Sequence, residues 1–328
     1  MYDGVQCTVV VYVDDLMITC ANREPIDAVI ALFRKRFHDL TVNEGVVHSY
    51  LGMLFDFSSA SAVKISMPGF TDDILSMSGI EGKARTPAAD TLFDIRVGVE
   101  ALDADRKEQF HSLVAKLLYL AKRTRPDILL PVSFLSTRVN TPTVDDHAKL
   151  IRLLKYLNGT KDLGIMLRAS ETPLLEAYVD ASYGVHADGK SHTGMMISLG
   201  GGPVHVRSTK QKIVTKSSTE AELVALSDSG SIVIWTRNFL LSQGEKLGPA
   251  KAYQDNQSTM SLVERGASAS ERTRHIGIRY FWIKDRVDSK EIEIEYLETD
   301  SMIADVLTKP LQGNKFEALR TKLLNWCP

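Results

Sequence analysis

The sequence has 328 residues, a length that suggests two domains. Hydrophobic residues make up 44% and charged residues 24%, an ordinary globular composition that excludes disordered, collagen-like and coiled-coil chains. With 39 Lys and Arg against 41 Asp and Glu, the net charge is -2, which excludes a histone-like binder. Any polyanion must therefore be held by local basic patches.

The cysteines Cys7, Cys20 and Cys327 are odd in number and lack metal-ligand spacing. This pattern favours free thiols in a reducing compartment over a disulfide framework or a zinc site. The first residues lack a basic start and are interrupted by Asp14 and Asp15, which argues against a signal peptide or a membrane span. The sequence therefore predicts an intracellular protein with no membrane partner.

The first half opens on residues 7–20, two apolar β-branched runs around Asp14 and Asp15, which is typical of a β-hairpin with both acids at its tip. We expect that a chain opening on such a hairpin lacks part of the hairpin's domain. Three prolines, Pro126, Pro131 and Pro142, lie between or near the two helices predicted at residues 105–122 and 144–157, where they are expected to break the chain. The patterns predict helices at residues 25–38, 105–122 and 144–157, strands at 50–57 and 63–67, and a loop at 81–105.

In the second half, strands predicted at residues 174–181, 193–199 and 204–214 indicate a meander. A long helix follows to about residue 241, with a capping box offered by Ser217 and Glu220 or by Thr219 and Glu222. The remaining patterns predict a strand at 252–254 leading into a helix, a helix at 276–287, a strand at 292–297, and helices starting at Ser301 and Lys315. This alternation predicts an α/β domain with its boundary near Thr172.

Four acids stand at the ends of predicted elements: Asp180, Glu222, Asp255 and Asp305. Such ends converge at one edge of an α/β sheet, where ligands usually bind. Carboxylates gathered without bases repel one another unless divalent cations neutralise them, and hard oxygen ligands select Mg²⁺ or Mn²⁺. Two such ions about 4 Å apart can activate a water for phosphodiester cleavage. Ordinary capping or surface acids would show the same spacing, so spacing alone leaves both interpretations open.

Two basic clusters could hold phosphates with salt-dependent, sequence-independent affinity. A solvated protein surface would show the same residues, so this alternative also stays open. The first cluster comprises Arg207, Lys210, Lys212 and Lys216, and the second comprises Arg272, Arg274, His275 and Arg279.

Ordered motifs in the second half resemble the ribonuclease H domain of copia-type retrotransposon polyproteins. They are Tyr178-Val179-Asp180-Ala181-Ser182, Ser208-Thr209-Lys210-Gln211, Ser217-Ser218-Thr219-Glu220-Ala221-Glu222, Asp255-Asn256-Gln257-Ser258 and Ile303-Ala304-Asp305-Val306-Leu307-Thr308-Lys309-Pro310-Leu311. Upstream motifs resemble the end of the reverse transcriptase and its connection, namely Tyr12-Val13-Asp14-Asp15, Tyr50-Leu51-Gly52, Tyr119-Leu120-Ala121-Lys122-Arg123-Thr124-Arg125-Pro126-Asp127-Ile128 and Leu154-Lys155-Tyr156-Leu157-Asn158-Gly159-Thr160.

The resemblance covers nearly the whole chain and implies two domains. Residues 1–172 would be a partial α+β reverse transcriptase with the end of the palm, the thumb and a helical connection. Residues 173–328 would be an α/β domain with a ribonuclease H-like mixed five-stranded sheet and flanking helices.

The resemblance further implies a ribonuclease H that hydrolyses the RNA strand of RNA:DNA hybrids, leaving a 5′-phosphate and a 3′-hydroxyl. Its catalytic metal ligands would be Asp180, Glu222, Asp255 and Asp305, holding two Mg²⁺ ions or Mn²⁺ in their place. Glu222 is preferred to Glu220 because apolar Leu223 follows it directly, as in the related ribonucleases.

The implied partners are the RNA:DNA hybrid and the rest of the polyprotein, in a cytoplasmic virus-like particle or in the nucleus. His275 matches a position where the family often has His, and no firm role is assigned to it. The residues expected to contact nucleic acid are Arg207, Lys210, Gln211, Lys212, Lys216, Arg274 and His275.

Asp14 and Asp15 match the catalytic pair of reverse transcriptases. Polymerase chemistry also needs a third carboxylate from an earlier strand, so we do not expect RNA-directed DNA polymerase activity from this chain alone. Two alternatives stay open. The chain could be a non-catalytic nucleic-acid-binding remnant of the polyprotein, or a fragment of a complete reverse transcriptase.

Overall fold

A computed structural model describes residues 4–37, 39–170, 173–265 and 274–326. The strands are β1 (Cys7–Tyr12), β2 (Asp15–Cys20), β3 (Val47–Tyr50), β4 (Met53–Ser59), β5 (Ala62–Ser66), β6 (Ile165–Arg168), β7 (Leu175–Ser182), β8 (His192–Leu199), β9 (Pro203–Lys210), β10 (Ala250–Gln254) and β11 (Ile292–Tyr296). The α-helices are α1 (Arg23–Arg36), α2 (Pro68–Ser78), α3 (Ala104–Arg123), α4 (Leu129–Ser136), α5 (Val144–Gly159), α6 (Ser218–Ser242), α7 (Gln257–Arg265), α8 (Arg274–Asp288) and α9 (Gly313–Leu324).

The N-terminal hairpin agrees with its prediction. Strands β1 and β2 pair with Tyr12 opposite Asp15, so the turn consists of Val13 and Asp14. The strand predicted at 50–57 is wrong at its start, because Leu51 and Gly52 form a turn between β3 and β4. Both turn residues have positive φ, 51° and 76°, as a tight two-residue hairpin turn requires.

Four elements of the first half were absent from the sequence prediction: the helices α2 and α4 and the short strands β3 and β6. Pro68 stands at the start of α2, where the missing N–H costs no helical hydrogen bond. Pro131 does not break the chain as expected, because it is the third residue of α4 and the first turn of a helix has free N–H groups. Strand β6 completes an antiparallel sheet in the order β3-β4-β5-β6.

The second half contains a mixed five-stranded sheet in the order β11-β10-β7-β8-β9. Strands β7, β8 and β9 form the predicted antiparallel meander, whereas β10 is parallel to both β7 and β11. The third strand ends at Lys210, earlier than the predicted residue 214. The helix predicted from Ser301 is replaced by two short 3₁₀ segments, Thr299–Ser301 and Ile303–Leu307. The mixed five-stranded sheet with flanking helices is confirmed.

Each face of this sheet is covered by a hydrophobic core. Helices α6 and α8 pack on one face, where Val179, Leu223 and Ile283 share a cluster. The other face packs against the first half of the chain, since Met196 lies in one cluster with Leu117, Phe134 and other helical residues. This core therefore contains residues from both sides of the predicted domain boundary, and Thr172 itself lies outside the described residues. Among the described residues, no helix combines the length and the apolar character needed to cross a membrane.

A buried polar network holds the first half to the C-terminal helix. Arg125 donates two hydrogen bonds to the carboxylate of Asp127, at 2.9 and 2.7 Å, and another to the Thr160 carbonyl at 2.8 Å. The Tyr156 hydroxyl donates to Asp127 at 2.6 Å, and Arg320 of α9 donates to that hydroxyl at 3.3 Å. Because Arg125 and Asp127 are almost fully buried, each charge depends on the other for compensation.

We expect Arg125→Met to lower the free energy of unfolding by about 3–5 kcal/mol, because the variant leaves the Asp127 carboxylate buried without its charge partner. Urea unfolding measures the change. A matched control is Arg85→Met, which removes an exposed ion pair with Glu317 and should cost about 1 kcal/mol or less. An equal loss of unfolding free energy in the two variants would contradict the conclusion that the buried network stabilises the fold.

Candidate metal centre

Three of the four predicted acids meet at one edge of the five-stranded sheet. Asp180, Glu222 and Asp255 each place a carboxylate oxygen within 4.8 Å of the others. Asp180 and Glu222 are buried, whereas Asp255 is half-buried. The structure thus brings together side chains that are far apart in the sequence.

The sheet and one helix cap explain this meeting. Strands β7 and β10 are parallel neighbours, so Asp180 near the end of β7 and Asp255 just after β10 lie at the same edge. Ser217 caps α6 by accepting a hydrogen bond from the Glu220 N–H at 3.2 Å. The Glu220 carboxylate accepts from the Lys216 N–H at 2.7 Å, so it belongs to the cap, and Glu222 turns toward the other acids.

Gln254 supports this group, and the sequence analysis missed it. Its side chain is fully buried and donates to Glu222 at 3.2 Å. Its oxygen accepts from the N–H groups of Asp255 and Asn256, at 2.9 and 3.0 Å. Gln254 therefore fixes the side chain of one acid and the backbone of another. Its position immediately before Asp255 was the available signal.

Asp305 lies beside the group of three but pairs differently. Lys309 places its Nζ 2.6 Å from Asp305 and 3.3 Å from Asp180. The Thr308 hydroxyl also donates to Asp180. Lys309 and Thr308 were missed as site residues, although Lys309 follows Asp305 by four residues, the spacing at which helical side chains meet.

Gly194 allows this segment to approach the sheet. It is paired with Asp180 across β7 and β8. A Cβ atom at this position would lie 2.9 Å from the Ala304 carbonyl oxygen and 2.7 Å from a Thr308 methyl carbon. Any larger residue would therefore push Asp305 and its neighbours away from Asp180.

The electrostatics of the site favour a bound cation. Burial raises the pKa of Asp180, against the opposing charge of Lys309. Burial, followed by the charges of Asp180 and Asp255, raises the pKa of Glu222 well above its usual range. Burial and the charge of Asp180 raise the pKa of Asp305 to about 6. Carboxylate oxygens that repel one another in this way fit a hard divalent cation such as Mg²⁺ or Mn²⁺.

The predicted nucleic-acid contacts occupy different environments. Lys210 pairs with Asp188 at 2.8 Å. Gln211 is buried and donates to the Thr193 hydroxyl and the Ala221 carbonyl, at 3.0 and 2.9 Å, so it supports the start of α6. Lys212 and Lys216 are exposed, and Arg207 is half-buried on β9. The side chains of Arg274 and His275 lie outside the described part of the chain, as does residue Arg272.

The polymerase-like acids Asp14 and Asp15 are exposed at the tip of the N-terminal hairpin. In the part of the chain that the structure describes, they join no third acidic, histidine or cysteine side chain in a group able to hold a metal ion. Their assignment stays a prediction.

The strand order and strand directions are those of the mixed five-stranded α/β sheet that the motifs imply, and three of the implied acids meet at one edge of it. Two solved ribonucleases H1 were compared with the chain. LC11-RNase H1, isolated from compost, is 13% identical with a TM-score of 0.32, covering 41% of this chain and 92% of that one. The RNase H1 from the archaeon Halobacterium salinarum NRC-1 is 15% identical with a TM-score of 0.29, and the match covers 41% of this chain and 93% of that one. No family model matches the chain.

The curated relatives of the chain are Pol polyproteins of transposons. The chain is 31% identical over 322 residues to the Retrovirus-related Pol polyprotein from transposon RE2 of Arabidopsis thaliana, covering 95% of this chain and 21% of the relative. It is 34% identical over 212 residues to the Retrovirus-related Pol polyprotein from transposon TNT 1-94 of Nicotiana tabacum, covering 64% of this chain and 16% of the relative. It is 24% identical over 343 residues to the Transposon Ty1-BR Gag-Pol polyprotein of Saccharomyces cerevisiae, covering 99% of this chain and 20% of the relative.

The chain is therefore a homologue of the copia-type retrotransposon Pol polyproteins, as the motifs indicate. It spans about a fifth of the length of the curated relatives that it matches.

We expect Mg²⁺ to stabilise the wild-type protein against heat and Glu222→Gln to remove most of that stabilisation, because the variant loses one of three converging carboxylates. Glu220→Gln is the matched control, since it makes the same change two residues away and should keep the Mg²⁺ effect. Thermal unfolding with Mg²⁺ and with a chelator measures both. Equal Mg²⁺ effects in the two variants would contradict the assignment of Glu222.

Without metal, we expect the stability of the wild-type protein relative to Asp305→Asn to fall as the pH rises from about 4 to about 6. The pKa of Asp305 is raised from 3.8 to about 6, so in this window the folded protein retains a proton that the unfolded chain has released. Stability therefore falls with rising pH, and Asn, which does not titrate, lacks this contribution. Urea unfolding across the window, with chelator present, measures the difference. If the wild-type protein instead gained stability relative to Asp305→Asn as the pH rises, the pKa of Asp305 would not be raised in the folded protein.

Proposed function

We propose that the chain carries a divalent-metal-dependent ribonuclease H that hydrolyses the RNA strand of RNA:DNA hybrids. The observation that carries this proposal is the meeting of Asp180, Glu222 and Asp255 at one sheet edge in a homologue of Pol polyproteins. Residues 173–328 would be the nuclease domain and residues 1–172 a partial reverse transcriptase. The hybrid and the rest of the polyprotein would be its partners, in a cytoplasmic particle or in the nucleus.

Asp180, Glu222, Asp255 and Asp305 would hold the metal, as two Mg²⁺ ions or as Mn²⁺ in their place. When bound, the metal would supply an activated water and stabilise the charge that develops on the leaving oxygen. Metal binding would require the carboxylates to be correctly placed, and a bound cation would displace the protons that burial favours on them.

The protein's own residues meet that requirement. Gln254 orients Glu222 and the backbone at Asp255 through three hydrogen bonds. Thr308 and Lys309 hold Asp180 from the opposite side, and the positive charge of Lys309 favours the charged forms of Asp180 and Asp305. These contacts keep the acids fixed and reduce the reorganisation needed when a metal ion binds.

Substrate choice would depend on contacts outside the acids. Basic residues near the site, among them exposed Lys212 and Lys216, would hold backbone phosphates without reading bases. The 2′-hydroxyl group and the shape of the hybrid would distinguish the RNA strand. We do not propose polymerase activity for this chain, since Asp14 and Asp15 lack a third carboxylate among the described residues.

We expect the purified chain to cut the RNA strand of a labelled RNA:DNA hybrid in Mg²⁺ and to leave duplex DNA and duplex RNA intact. Asp180→Asn should abolish cutting because it removes a central ligand while preserving side-chain size. Asp228→Asn is the control, since Asp228 pairs with Arg279 on the surface of α6 and α8 and lies outside the acid group. Gel analysis of the labelled strands gives the result.

The opposite outcome is equally informative. A folded protein that binds the hybrid but does not cut it, in Mg²⁺ or Mn²⁺, would reject the nuclease proposal. It would favour the alternative of a non-catalytic nucleic-acid-binding remnant.

A further inference from the structure

A cleft of about 550 Å³ runs along the outer edge of β9, away from the acid group. Helices α3 and α4 form one wall, and Ile232 of α6 reaches the cleft from the other side. Its lining therefore combines residues from both halves of the chain. The polar and charged residues considered below are Lys122, Arg123, Ser133, His205, Arg207 and Thr209.

The cleft concentrates positive charge that lacks a counter-charge. Within the described residues, Lys122, Arg123 and Arg207 form no ion pair with a carboxylate, whereas nearby Lys210 is paired with Asp188 at 2.8 Å. Lys122, His205 and Arg207 line this cleft together. Burial, and then the charges of Arg207 and Lys122, lower the pKa of His205. Such a cluster favours an anion over a neutral or cationic ligand.

Neighbouring side chains fix two of these cations. The Arg123 guanidinium lies 3.5 Å from the centre of the Tyr119 ring. Arg207 donates to the Thr209 hydroxyl at 3.2 Å. A cation that is already oriented loses less conformational entropy when it binds an anion, so both are suited to contact a phosphate.

The strand register gives the position of the cleft relative to the acids. Asp180 is paired with Gly194, and Gly194 with Ser208, so Arg207 lies two strands away from Asp180 at nearly the same level. Strands are about 4.8 Å apart, which places the backbone of Arg207 about 10 Å from that of Asp180. The Asp180 side chain faces Thr308 and Lys309, whereas Arg207 is paired with Met195 on the face that packs against α6. A phosphate held at the cleft therefore lies at least this far from the acids, a separation of at least about three nucleotide steps along one strand of a duplex.

We propose that this cleft binds a backbone phosphate of a nucleic acid, about three to five nucleotides from the phosphate at the acid group. The ligand class is a phosphodiester in an extended strand, held by Lys122, Arg123 and Arg207 without reading bases. The two halves of the chain would then bind the same nucleic-acid strand. The identity of that strand rests on the proposed function, but binding at the cleft can be measured without any cleavage.

The test compares the full chain with the double variant Lys122→Gln/Arg207→Gln. Binding of a labelled RNA:DNA hybrid is followed by fluorescence anisotropy in EDTA over a range of salt concentrations, so that nothing is cut. The charge-matched control is Lys246→Gln/Lys290→Gln, two exposed lysines in loops next to β10 and β11 on the far side of the sheet. Circular dichroism melting checks that both variants are folded.

We expect the cleft variant to lose about tenfold in affinity near 0.1 M salt and to reduce the slope of log K against log salt by about two, one for each lost phosphate contact. The control should change affinity less than about twofold. A second arm uses hybrids with one uncharged methylphosphonate at successive positions. Neutralising a phosphate three to five nucleotides from the cut site should weaken wild-type binding and leave the cleft variant unchanged.

An unchanged affinity and salt slope in the folded cleft variant would overturn the proposal. So would saturable thermal stabilisation of the wild type, but not of the cleft variant, by inorganic phosphate without any difference in hybrid binding, because the cleft would then hold a free phosphate. A protein that binds through the cleft but cuts nothing would reject only the proposed nuclease.

Discussion

Mutual repulsion among buried carboxylates is the constraint around which the second half of this protein is organised. The sheet brings Asp180 and Asp255 to one edge, and α6 adds Glu222 to them. Without compensation, three charges at this separation would oppose folding. Compensation comes from opposite directions, with Gln254 on one side and Lys309 on the other. A divalent cation would complete the charge balance, so that folding and metal binding favour the same arrangement.

The same sheet also joins the two halves of the chain. Its second face packs on helices of the first half, and α9 returns to the buried pair of Arg125 and Asp127 through Arg320 and Tyr156. A relative movement of the two halves would expose this core and break the hydrogen bond from Arg320 to the Tyr156 hydroxyl, which lies beside the desolvated ion pair. The cleft beside β9 depends on that rigidity, because Lys122 and Arg207 come from opposite sides of it.

Local signals predicted much of this arrangement, and long-range contacts explain what was missed. The capping pattern correctly located the start of α6, the family motifs singled out Glu222, and the alternation of strands indicated the sheet edge where Asp255 lies. Helix α4 was missed because Pro131 was taken as a break, although the first turn of a helix tolerates proline. The meeting of Lys122 with Arg207 has no sequence signal, since it results from the packing of α3 and α4 against an edge strand.

The contact between Lys309 and Asp180 has a consequence for how the protein is made. The two residues are separated by 129 positions, so the contact has a high contact order and forms only after a long loop is closed. A nascent chain therefore exposes Asp180, Glu222 and Asp255 before the lysine that compensates them has been synthesised. The acid group is therefore completed late in folding, since its compensating lysine reaches Asp180 only when the chain from β7 to the segment after β11 has closed.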